Sequence, residues 1–186
     1  MEAELLRVVV AALDRAGIAH MVTGSLASTI HGQPRATRAI DLVIDPTEAS
    51  IDLLVAEFPT ERFYVGDAGL AFARRDMFNV VDVRSGWKVD LIVLEDRPFS
   101  RTEFQRRQPA EVAGVSTYIV SAEDSILSKL EWHSMSGSDN QRRDVLEMLV
   151  ANRDHLDHAY LERWATELAV VDVLHELQAE AAATGQ

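Results

Sequence analysis

Two apolar runs carry an aspartate where a hydrophobic residue is expected: Ala39-Ile40-Asp41-Leu42-Val43-Ile44 and Trp87-Lys88-Val89-Asp90-Leu91-Ile92-Val93. Both read as strands, the first ended by Pro46 and the second entered through Arg84-Ser85-Gly86, a tight hairpin signal. A carboxylate among apolar neighbours is costly to bury unless it is paired or bound to a cation. Strand alternation places Asp41 on the face shared by Ala39 and Val43. One outcome is an edge-strand aspartate bridged to a nearby arginine. The other is two aspartates on strands lying side by side, a site suited to Mg2+, which takes few carboxylates plus substrate phosphates. A third aspartate, Asp82, lies in the apolar run Phe78–Val83 and reads as structural or exposed.

Around these strands the chain alternates helix and strand signals. A helix from Glu2 to about Ala16 precedes a strand at 18–23, then a small-residue helix from Leu26 to His31. Thr47 or Glu48 opens a helix through Phe58; a short strand follows at Phe63–Val65 and a short helix at Gly69–Arg75. After Pro98 a basic turn of helix, Arg101–Arg107, leads to a strand at Val115–Val120. From Ser121 the pattern is helical almost to the end, opened by a Ser121/Asp124 capping signature. The expected fold is α/β (α+β): a mixed sheet over residues 1–120, followed by a helical subdomain over 121–186.

Composition narrows the function. Thirty acidic against eighteen basic residues leave a net charge of −12, which argues against a non-specific nucleic-acid coat but not against a local phosphate grip. The absence of cysteine excludes thiolate chemistry and fits a reducing cytoplasm. The six histidines show no zinc spacing, and the three tryptophans read as core or rim packing. No signal peptide is read at the start, and no run approaches the ~20 apolar residues of a membrane span, so no membrane partner is expected. Gly24-Ser25, between a strand and a helix, lets backbone N–H groups and a hydroxyl approach an anion such as a triphosphate; alone, such a pair is more often an ordinary capping turn.

Taken in order, these segments resemble the polymerase-β-type nucleotidyltransferase superfamily, and most closely its AbiEii-like toxin branch. The likeness runs over about residues 18–150: Gly24-Ser25, then Gly32-Gln33-Pro34-Arg35-Ala36-Thr37 leading into the Asp41 strand, then the Asp90 strand. It continues through Ser121-Ala122-Glu123-Asp124 with Ile126-Leu127-Ser128-Lys129-Leu130, and Arg143-Asp144-Val145. The resemblance implies that Gly24 and Ser25 hold nucleotide phosphates and that Asp41 and Asp90 are metal and base positions. Lys129 and Asp144 would be a further polar pair at the site. It implies Mg2+-dependent transfer of a nucleotidyl group from an NTP to an RNA end (tRNA) or a protein hydroxyl, with a cognate antitoxin as a possible partner. The family strand reads Asp-x-Asp, whereas this one reads Ala39-Ile40-Asp41. Losing that carboxylate is expected to weaken a divalent site severely and to leave either an inactivated transferase or a nucleotide- or protein-binding pseudoenzyme of the same fold.

Overall fold

The computed structural model describes residues 2–32 and 39–184. The chain divides into two compact units, Met1–Leu26 with Ala36–Val120, and Ala27–Arg35 with Ser121–Gln186.

The first unit is built on a seven-stranded mixed sheet in the order β3-β4-β5-β2-β1-β7-β6. Its strands are β1 (Ala19–Thr23), β2 (Ala39–Asp45), β3 (Phe63–Val65), β4 (Met77–Asp82), β5 (Lys88–Val93), β6 (Gln108–Val112) and β7 (Val115–Ile119). The β2/β5 and β1/β7 pairs are parallel and the others antiparallel. Mixed pairing is what strands alternating with helices and hairpins dictate, and it agrees with the expectation from the sequence. Helix α1 (Glu2–Arg15) precedes the first strand, α2 (Gly24–His31) follows β1 and passes into the second unit from Ala27, and α3 (Glu48–Ala56), α4 (Ala68–Arg74) and α5 (Pro98–Gln105) connect later strands. Ile40, Leu42 and Ile44 of β2 and Val89, Leu91 and Val93 of β5 are fully buried on one face of the sheet, as are Leu6, Val9 and Leu13 of α1. The alternate positions of the same strands, Ala39, Asp41, Lys88 and Asp90, share the other face.

Three elements differ from the sequence expectation. Strand β6 was not expected, because Pro109 and Glu111 break its apolar alternation. As the last strand of the sheet it pairs with β7 alone, where a proline is tolerated. The β6–β7 loop is the two residues Ala113 and Gly114, both at positive φ (50° and 74°), the primed-turn geometry that matches strand twist. Helix α5 starts at Pro98 instead of Arg101, since a proline at the first helical position gives up no internal hydrogen bond. Helix α2 begins at Gly24 itself.

Asp82, left open between structural and exposed, is structural: its side chain is 6% exposed and bridges to Arg62 at 3.0 Å. Burial alone would push its carboxyl up. Hydrogen bonds from Arg62, from the Arg84 backbone N–H and from Ser85 outweigh that and hold it below the usual carboxylate range. A depressed native pKa stabilises the fold above the unfolded value and loses that contribution as pH falls through the native one. Urea midpoints at pH 6 and at about pH 3 are expected to diverge more in the wild type than in Asp82→Asn, which removes this acid-sensitive contribution.

The second unit contains α6 (Ala122–Ser136), α7 (Asp139–Ala151), α8 (His158–Glu167) and α9 (Val171–Thr184). Ser121 caps α6 by accepting the Asp124 N–H at 3.1 Å, while its hydroxyl donates to the Asp124 carboxylate at 2.6 Å. Leu127, Leu130, Val145, Leu161 and Leu174 form its core, joined by Trp164. Of the tryptophans expected as core or rim packing, Trp164 is in this core, whereas Trp132 is 59% exposed. No helix among the described residues is long and apolar enough to cross a membrane.

Candidate nucleotide site

The two aspartates that interrupt apolar strands are direct neighbours. In the parallel β2/β5 ladder Asp41 is the register partner of Asp90, and adjacent strands lie about 4.8 Å apart. The row extends to both sides: Thr23 of β1 pairs with Asp41, and Asn79 of β4 pairs with Asp90. Thr23, Asp41, Asp90 and Asn79 thus form a polar line across four strands, all on one face. Sequence reading had singled out neither Thr23 nor Asn79, because their membership depends on register, which only pairing reveals.

Gly24 follows Thr23 directly and closes one end of this row. Its φ is +64°, and a Cβ there would lie 2.0 Å from Asp41 Oδ2 and 2.7 Å from Cγ. The Asp41 carboxylate therefore lies against the bare Cα at the start of α2. Any side chain at 24 would meet both the strain of a left-handed backbone and that carboxylate. Glycine here serves the close approach of Asp41, an additional reason beyond the ligand space inferred from the sequence. Ser25, half-buried, is the next residue of the helix.

Asp90 is 5% exposed. Its Oδ2 accepts from Lys88 Nζ at 2.6 Å, while its Oδ1 is buried with no hydrogen-bond partner among the described residues. Lys88 is itself the register partner of Ala39. The position where the resemblance expects a first carboxylate is therefore a methyl group beside a lysine, and that lysine reaches Asp90. A Lys-x-Asp spacing on a strand could have flagged this contact, since residues two apart share a face.

The residues present do not fit the metal centre that the resemblance implies. The third carboxylate is absent, Asp90 already carries a cation, and no group of three His, Asp or Glu among the described residues is arranged to hold a metal.

The remaining predicted site residues belong to the helical unit. Lys129 Nζ donates to Asp144 Oδ2 at 2.8 Å and to Gln141 Oε1 at 3.0 Å. The side chains of Lys129 and Asp144 are only 7% and 5% exposed, so they form a buried clamp between α6 and α7. Of the segment Gly32–Thr37 that contributed to the resemblance, residues 33–37 lie outside the described residues. A cavity of about 290 Å3 lies beside the polar row in the first unit, lined by Tyr64, Gly66, Arg74, Phe78 and Asn79 among others.

No family model matches this sequence, and no curated protein matches it. Solved structures do. An antigenic nucleotidyltransferase-like protein from Paracoccidioides brasiliensis aligns over 92% of this chain and 90% of its own, with TM-score 0.53 and 20% identity. The lincosamide antibiotic adenylyltransferase LnuA, lincomycin-bound, aligns over 80% of this chain and 96% of its own, with TM-score 0.53 and 10% identity. ANT(2")-Ia in complex with adenylyl-2"-tobramycin aligns over 100% of this chain and 99% of its own, with TM-score 0.50 and 15% identity. The chain thus has the nucleotidyltransferase fold, with nucleotidyltransferase-like proteins as its structural neighbours. The likeness does not single out the AbiEii branch.

Proposed function

We propose that the chain binds a nucleoside triphosphate on the Asp41–Asp90 face, with its phosphates at the Gly24-Ser25 start of α2. The observation that carries this reading is the cross-strand pairing of Asp41 with Asp90, with the Asp41 carboxylate against Gly24. Backbone N–H groups at a helix start, and the serine hydroxyl, suit phosphate oxygens. Ala39 leaves the site short of a carboxylate, and Lys88 already neutralises Asp90, so Mg2+ is expected to bind weakly. Nucleotidyl transfer by the chain as it stands is then slow or absent.

Where transfer does occur, the net charge of −12 favours a small-molecule or protein hydroxyl over a long RNA as acceptor. The cavity that Asn79 shares is of a size to take a small one. The AbiEii-like resemblance supports a tRNA end or protein hydroxyl as acceptor, an antitoxin as partner and a site role for Lys129 and Asp144. The absence of cysteine supports a cytoplasmic location, and the change from strand-rich to helical sequence supports a division at residues 120/121.

Calorimetric titration with ATP, GTP, CTP and UTP tests the binding reading. Ser25→Ala is expected to weaken the best of them by about 1.5–3 kcal/mol, the value of one hydrogen bond to a charged group. Unchanged affinity would make Gly24-Ser25 an ordinary helix start.

A further inference from the structure

A buried carboxylate needs a counter-charge, and in this site the chain brings its own. Lys88 Nζ lies 2.6 Å from Asp90 Oδ2, a short charge-assisted contact, with Asp90 almost fully buried. The lysine side chain is 43% exposed, against 7% for that of Asp90, so the cation remains in partial contact with solvent while it holds a buried carboxylate. It starts from the position paired with Ala39. An acidic residue at 39 would be the nearest competitor for the ammonium, and the methyl group offers none. The other Asp90 oxygen, Oδ1, has no partner among the described residues. One half of this carboxylate is therefore occupied by an internal cation, and the other half is desolvated and unused.

We propose that Lys88 is the resident cation of the carboxylate pair. Its ammonium holds Asp90 in place of a divalent ion, and a metal gains Asp90 only by displacing it. A lysine supplies charge but no open coordination positions, so it neutralises the carboxylate without polarising a ligand as a metal would. Two features thus suppress divalent-ion binding here: the missing carboxylate at 39 and the lysine on Asp90. The proposal rests on reading the Asp41–Asp90 face as the ligand site, but its test needs no nucleotide.

Mn2+ alone is the probe, with free Mn2+ followed by electron paramagnetic resonance. The full-length wild type is expected to show only weak binding. Lys88→Met and Lys88→Gln, which unmask Asp90, should each bind at least about tenfold more tightly, equivalent to ~1.4 kcal/mol. Lys88→Arg retains a cation and should resemble the wild type. Adding Asp90→Asn to Lys88→Met should abolish the gain, which assigns the new site to Asp90. No gain in the folded Met and Gln variants would overturn the proposal. So would a wild type that binds as tightly as they do. If Lys88→Met gains Mn2+ while no nucleoside triphosphate binds the wild type, the nucleotide reading fails and this one stands.

Discussion

Asp144→Ala is expected to destabilise the helical unit by about 3–5 kcal/mol, the cost of leaving one charge of a buried pair without its partner. The loss is large because Lys129 cannot escape to water: its side chain is 7% exposed, and after the substitution Nζ would keep its hydrogen bond to Gln141 and lose the one to Asp144. Urea unfolding followed by far-UV circular dichroism reads the effect. Replacing both partners by apolar residues, Lys129→Met with Asp144→Leu, should recover most of it, since well-packed hydrophobic pairs often equal buried ion pairs in stability. An Asp144→Ala protein as stable as the wild type would show that the pair is no clamp. Lys129 and Asp144 would then be better read through the site role that the resemblance implies.

Ala39→Asp combined with Lys88→Met is expected to raise nucleotidyl transfer at least a hundredfold, ~2.7 kcal/mol of transition-state stabilisation. Residues 39 and 41 share a strand face about 7 Å apart along the chain, and Asp90 is the register partner of Asp41. The double change therefore gathers three carboxylates with no internal cation among them. Without Mg2+ their repulsion should lower the melting temperature, and Mg2+ should restore it. Ala39→Asp alone should gain less, because Lys88 is the register partner of position 39 and would be shared between two carboxylates. Transfer assays with labelled NTPs and a pool of tRNA, protein and small hydroxylated acceptors, read alongside melting temperature, distinguish these outcomes. No gain in rate together with no Mg2+-dependent rise in melting temperature would favour a pseudoenzyme whose loss of activity lies deeper than residue 39.

The strands bearing Asp41 and Asp90 were legible because a carboxylate within a β-branched run is a local anomaly that needs no knowledge of partners. The mixed sheet followed from alternating helix and strand signals, and the Ser121 cap from a spacing of three residues. What could not be read depended on pairing. Thr23 and Asn79 join the site only through register, and β6 forms only because β7 is there to bond it despite Pro109. Lys88 was visible as a residue but not as a participant. Its contact with Asp90 follows from a shared face, yet whether a lysine two residues away turns toward a carboxylate or toward water is decided by burial. Gly24 reads from the sequence as leaving space for a ligand; that it also makes room for Asp41 depends on strand pairing and was not legible.

The most direct measurement of the account is an amide chemical-shift map of the isotope-labelled protein during titration with each of the four nucleoside triphosphates. The account predicts saturable shifts at Gly24 and Ser25 and along β2 and β5 around Asp41 and Asp90, lost in Ser25→Ala at the same ligand concentration. Titrations that leave these amides unmoved with all four nucleotides, or that shift only residues remote from the Asp41–Asp90 row, would contradict it.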